Sequence, residues 1–274
     1  MPQIQYGRPL NALVAVKGHP FDRTAFDTLF AACDQVAVTV VDQPAAGRLM
    51  SPEGMRGFDA LVLYDMPGLD FAARPRPGYV APDPEVQAGL AALLDAGKGV
   101  VALHHAIAGW PAWPGFADLL GGTFLYRPGE LRGAPRLDSG YRHNVAYQAQ
   151  NVAPDHPVMA GLPPSFPLTD ELYLYEVFED EVTPLLRSDY AFDRDHFYSA
   201  TAAVEGRMGV NEGWDHPPGS NLVGWVKRAR NSPLVYLQPG DGPSVYGDAN
   251  VQRLVRNAIH WVASDEALAW ARGG

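Results

Sequence analysis

Cys33 is the only cysteine among 274 residues, so neither an intrachain disulfide nor a cage of thiolates around a metal can form within one protomer. Its setting, Thr24-Ala-Phe-Asp-Thr-Leu-Phe-Ala-Ala-Cys33, reads as an apolar helical stretch and makes it a small core residue. Basic residues are also scarce: 21 Lys and Arg stand against 31 Asp and Glu, a formal net charge of -10. Binding to nucleic acid needs clustered Lys and Arg to neutralise phosphates, so nucleic acid is not an expected partner. No apolar run is long enough to cross a bilayer, and Met1-Pro-Gln-Ile-Gln-Tyr-Gly-Arg-Pro9 lacks the apolar core of a signal peptide. The expectation is a cytoplasmic protein with no membrane attachment. Also missing are a Gly-x-Ser-x-Gly elbow, a His-x-x-x-His pair, an internal repeat and any low-complexity tract.

What is present is a regular alternation of strand-like and helix-like segments. Ala12–Val16, Val36–Val41 and Phe58–Tyr64 read as strands, with helices over Thr24–Asp34 and Pro84–Asp95. Short connections between them are the mark of βαβ units and a parallel sheet, here expected as one domain over residues 1–274. Proline-rich residues 70–84 read as a surface excursion that walls a crevice. The stretch His143–Tyr147 is strand-like within an Arg-, Gly- and Pro-rich region and suggests an antiparallel addition at the sheet edge. Residues 189–220 read as an irregular insertion carrying Tyr190, Phe192, His196, Tyr198, Trp214 and His216. Such aromatic density suits sugar rings and a dimer interface equally, which leaves a homo-oligomer open. Strands at Asn221–Val226 and Leu234–Leu237 precede a helix over Asn250–Val262 with one apolar face, beside which His260 is expected to be partly buried.

The run Lys98-Gly-Val-Val-Ala-Leu-His104-His105 places two imidazoles where a buried strand ends. In an open α/β sheet that carboxyl edge is where ligands bind. Three other strand ends carry polar residues: Lys17-Gly18-His19, Tyr64-Asp65 and Gln238-Pro-Gly240-Asp241. With these strands parallel and central, His19, Asp65, His104, His105 and Asp241 converge. Asp170-Glu171, ahead of Leu172-Tyr173, would turn one carboxylate inward as ligand or base and the other to solvent. Asp155 reads as the N-cap of a short helix with Pro157 at its first position, which makes His156 structural. Imidazole and carboxylate ligands together suit a divalent metal such as Zn, Mn or Ni, with His19, His104 and Asp241 as ligands. The same groups serve metal-free acid/base chemistry equally well.

Three stretches, His104–Gly122, His156-Pro-Val-Met-Ala-Gly-Leu-Pro163 and Leu168-Thr-Asp-Glu-Leu-Tyr173, together with Asn257-Ala-Ile-His-Trp261, resemble the ThuA-like (trehalose utilisation) family. The resemblance covers nearly the whole chain. It implies an α/β fold with a flavodoxin-like, doubly wound, mostly parallel sheet, carrying antiparallel additions and long loop insertions. That fold is like the class I glutamine amidotransferases, but the family lacks their cysteine. Here His104 stands at the elbow and Cys33 lies elsewhere, so glutaminase chemistry is not expected. The family's association with sugar catabolism, alongside dehydrogenases that make 3-keto-glycosides, implies a small-molecule carbohydrate substrate. Hydrolysis, elimination or isomerisation would then use His104, Glu171, His19 and Asp241. Tyr64, Asp65, His105, Trp110, Tyr173 and Gln238 are expected to bind the substrate, with Trp113 beside Trp110. Gly240-Asp241 departs from the Gly-His of many relatives, and Arg228-Ala-Arg-Asn-Ser-Pro233 departs from their approach to the last strand. The alternative is a non-catalytic sugar-binding or regulatory module on the same scaffold.

Overall fold

In the computed structural model, which describes residues 9–273, the apolar runs assemble into one ten-stranded mixed sheet. The Met1–Arg8 stretch read above lies outside the described residues. The strands are β1 (Leu10–Lys17), β2 (Val36–Asp42), β3 (Ala60–Asp65), β4 (Gly99–Leu103) and β5 (Gly140–Asn151), then β6 (Ser165–Leu174), β7 (Thr183–Ser188), β8 (Tyr198–Ser199), β9 (Leu222–Ala229) and β10 (Ser232–Leu237). Their order is β6-β5-β7-β9-β10-β4-β3-β1-β2, with β8 paired to β5. From β10 to β2 all pairs are parallel; from β6 to β10 all are antiparallel. The expected antiparallel addition is therefore half of the sheet.

Strands β3, β4 and β10 are buried along their whole length, as their lack of polar alternation requires of parallel strands covered on both faces. On one face lie α1 (Arg23–Ala31) and α4 (Ala249–Val262), whose Val251, Leu254, Val255, Ala258 and Ile259 join Val62, Val101 and Val235 in one core. Asp248 starts α4 by accepting from the amides of Asn250 and Val251. On the other face α2 (Pro84–Asp95) packs Leu90, Leu93 and Leu94 against Leu61, Val100 and Leu234. Gly99 opens β4 where α4 ends: a Cβ there would lie 2.0 Å from the Val262 carbonyl oxygen, a separation only glycine avoids.

Several details depart from the sequence reading. Cys33 is the buried core residue expected, but it lies in the bend after α1 and not in the helix, its thiol donating to the Leu29 carbonyl at 3.3 Å; burial pushes that thiol up to about 11. The short helix Pro157–Met159 is capped by His156, whose Nδ1 accepts from the Val158 amide, and not by Asp155. His260 is exposed and donates to the Asp34 carbonyl. Residues 70–84 fold back as a small hairpin, Leu69–Asp70 with Gly78–Tyr79, and do not wall the histidine cavity. In the 189–220 insertion Phe192 and Trp214 belong to the core, and Ala200–Val204 forms a short helix, α3. Much of its aromatic density is thus explained by packing. Among the described residues no helix is long and apolar enough to cross a membrane.

Candidate active site

Parallel pairing sets the carboxyl ends of β1, β3, β4 and β10 along one edge, so residues from four distant segments can meet there. Directly after β4, His104 takes a left-handed backbone (φ 46°), a conformation uncommon for a side chain with a Cβ, and begins the turn His104–Ala108. Its ring is fully buried. Nδ1 lies 2.7 Å from the Gln238 carbonyl, which can only accept, so Nδ1 carries a proton and Nε2 is aimed away from it. Nε2 meets the Tyr173 hydroxyl at 2.7 Å, Glu171 Oε2 at 3.3 Å and Asp241 Oδ1 at 3.5 Å. Burial by itself depresses this imidazole, but hydrogen bonds to Asp241 and Glu171 outweigh it and raise the group well above the usual histidine range.

Both acids of the Asp170-Glu171 pair are buried, against the expectation of one facing solvent. They occupy opposite faces of β6, and both faces are covered. Asp170 accepts from the amides of Gly240 (2.8 Å) and Asp241 (3.1 Å), pinning the turn that follows β10; burial pushes its carboxyl up to about 6. Glu171 lies between two histidines, its Oε2 near His104 and its Oε1 3.0 Å from His143 Nδ1. Burial favours its neutral form, but the two histidine bonds prevail and hold it below the usual carboxylate range. A register shift in β5 between Arg142 and Val145, with Asn144 at φ 55°, brings His143 to this contact.

Glu171 opens onto a cavity of about 150 Å³. His19, His105, His143 and Tyr173 share its lining, whereas the enclosed His104 lies behind Glu171 and Tyr173, outside it. His105 donates from Nε2 to the Tyr64 carbonyl at 3.2 Å, which leaves Nδ1 a bare lone pair with no partner among the described residues; His19 Nδ1 also lacks one there. The two rings lie 4.7 Å apart. Burial, followed by the charge of His104, lowers both imidazoles, His105 strongly. Burial thus favours the neutral form of both.

Other residues singled out from sequence lie apart from the cavity. Tyr64 is a buried brace, its hydroxyl donating to the Gly240 carbonyl and meeting that of Tyr246. Asp65 is held by the Gln43 amide at 2.6 Å, and burial pushes it up to about 6. Gln238 contributes its backbone carbonyl to His104. Trp110 lines a separate surface groove with Lys17 and Met66, and Trp113 packs on Phe116. In the other direction, the sequence reading missed His143, Tyr126, Tyr141 and Met208 as cavity residues. For Tyr141 and His143 the available signal was their i, i+2 spacing on a strand, which points both side chains to one face.

Among the described residues, one group of side chains can hold a metal ion: His104, Glu171 and Asp241. Glu171 thus takes the place given to His19 in the expected ligand set. The donor set fits. One donor atom from each lies within 4.8 Å of the others, close enough for a single ion to take all three. The Nδ1 hydrogen bond to a backbone carbonyl is also the usual way of orienting a ligating imidazole.

The ThuA sequence family, described as trehalose utilisation, matches residues 12–262. The chain belongs to the ThuA family. This membership implies a role in carbohydrate metabolism. Solved ThuA-like proteins share the fold at low identity. That of Bacteroides uniformis is 18% identical, with TM-score 0.63 over 97% of this chain and 96% of its own. That of Parabacteroides merdae is 15% identical, with TM-score 0.64 over 93% and 90%. A cytoplasmic protein of Salmonella typhimurium is 12% identical, with TM-score 0.55 over 92% and 99%. No curated protein matches the chain significantly. As a ThuA protein the chain has the doubly wound α/β fold expected of it, with His104 at the turn after β4.

Proposed function

We propose that this ThuA protein is a carbohydrate-processing enzyme that moves protons on a keto-sugar, giving elimination or isomerisation. The observation that carries this reading is the division of one cavity into two chemical sides. On one side stand neutral imidazoles with unpartnered nitrogens, His19 and His105. On the other, His143 Nδ1 donates to Glu171 and the Tyr173 hydroxyl stands beside it. Groups whose surroundings push their proton affinities apart are the pattern of a base and an acid sharing one substrate.

A keto group acidifies the adjacent C–H, so a neutral imidazole can take that proton while a hydrogen-bond donor stabilises the enolate oxygen. His19, only partly buried, is the base; His143 and Tyr173 are the donors; His104 positions Glu171 and Tyr173 from behind. Returning the proton to the neighbouring carbon isomerises the sugar, and expelling a β-oxygen substituent eliminates it. Direct glycoside hydrolysis uses two carboxylates flanking the bond. The cavity lining contributes one, Glu171.

The grouping of three donor atoms within 4.8 Å supports a second reading, in which His104, Glu171 and Asp241 would hold a divalent ion such as Zn, Mn or Ni. When bound, such an ion polarises a carbonyl oxygen as a Lewis acid. The test is turnover of keto-hexoses and keto-glycosides with product identification, alongside elemental analysis of the purified protein. His19→Asn and Glu171→Gln should each lower turnover by about 10²–10⁴ with the fold retained. Wild-type rates in both variants would refute the assignment.

A further inference from the structure

Part of the cavity wall is made of small side chains: Ala108 from the turn after β4, and Ala200 and Ala203 from α3. The one-turn helix α3 is held by a network that none of the chemistry above uses. Asp138, buried and with no basic partner among the described residues, accepts from Ser199 Oγ at 2.6 Å and the Thr201 amide at 2.9 Å with one oxygen, and from Trp214 Nε1 at 3.0 Å with the other. Ser199 Oγ in turn accepts from the Ala202 amide and caps the helix. Thr201 Oγ1 donates to the carbonyl of Tyr126, itself a lining residue. A single carboxylate thus ties the start of α3 and the distant Trp214 to the segment entering β5. Met208 lines the cavity while 61% exposed, which puts it at the rim, and the Gly209 amide beside it donates to the Tyr141 hydroxyl.

The cavity so walled, about 150 Å³ and open at the Met208 rim, is well below the roughly 300–1,000 Å³ of sites that enclose drug-sized ligands. We propose that α3 is the specificity wall of the site: fixed by Asp138, its alanines leave room for a single sugar ring and exclude a second, so that the substrate is a monosaccharide derivative. The inference rests on the carbohydrate reading of the site. Asp138 is a positioning residue here, since it touches the wall and not the ligand.

The experiment is calorimetric binding of a panel of one-ring sugars (glucose, galactose and their 3-keto forms) and two-ring sugars (trehalose and sucrose). Wild type, Ala203→Leu and Asp138→Asn are compared, each checked by circular dichroism and thermal unfolding. At least one monosaccharide should bind, at least tenfold more tightly than either disaccharide. Ala203→Leu, which places three more carbons in the cavity, should weaken that binding tenfold or more. Asp138→Asn should raise KM for the same sugar while leaving kcat within about twofold. If Ala203→Leu does not fold, Ala203→Val is read in the same way. Equal or tighter disaccharide binding, or unchanged affinity in the Ala203 variant, overturns the wall and leaves the proposed chemistry standing. Failure of every sugar to bind wild type overturns the carbohydrate reading itself.

Discussion

At the residue scale, the site consists of histidines held in different states by what each nitrogen faces. His104 points Nδ1 at a carbonyl and Nε2 at two carboxylates, whereas His105 points Nε2 at a carbonyl and leaves Nδ1 bare. Adjacent in sequence, the two are opposite in electrostatics. No one-dimensional pattern distinguishes them, because their partners come from β3, β6 and the turn after β10. Asp65 illustrates the same limit. Its position at a strand end resembled that of a site residue, yet its partner is Gln43, and its environment is burial. Because its folded-state value, about 6, exceeds the ordinary 3.8, the folded protein retains a proton that the unfolded chain gives up. Stability from this group is present below about pH 4 and is lost as pH rises through 6. Asp65→Asn should therefore gain on wild type between pH 4 and pH 7, by an amount of order 2–3 kcal/mol in urea unfolding. A difference independent of pH would show that the carboxyl is not perturbed in the fold.

At the element scale, the parallel strands were legible because each is a short apolar run closed by a polar or charged residue. Pro84–Asp95 is a helix over the very residues expected, and α4 was evident from its apolar face. The antiparallel half was legible only in part. The His143–Tyr147 pattern exposes the middle of β5, but its start at Gly140 and the register shift that delivers His143 to Glu171 depend on pairing with β6. Likewise, α3 is too short to leave a periodic signal, and its cap and clamp lie in separate segments. Where helix and strand meet most closely, one glycine permits the approach. Gly99→Ala would set a Cβ against the Val262 carbonyl and force the end of α4 off β4. Urea unfolding should show a loss of about 3 kcal/mol. A loss below about 0.5 kcal/mol would mean that α4 does not press on the strand bearing His104.

At the scale of the whole molecule, the doubly wound sheet brings together one edge, and the antiparallel half and the 189–220 insertion complete the cavity against it. From the ends of β1 and β4 the parallel half supplies His19 and His105 to the cavity and His104 behind it. Glu171, His143 and Tyr173 come from β5 and β6, and α3 adds the small-residue wall. This division explains why the edge histidines were readable from sequence and the acid side was readable only through the Glu171 motif. The central claim is that the assembled cavity abstracts a proton next to a sugar carbonyl. It is tested most directly by incubating the protein with a 3-keto-hexose in deuterium oxide and following the C–H signals adjacent to the carbonyl by proton NMR. Wild type should exchange those protons for deuterium well above the buffer rate, and His19→Asn should reduce the enzymatic rate by about 10²-fold or more. Exchange at the buffer rate with wild type, or an undiminished rate in the variant, would contradict it.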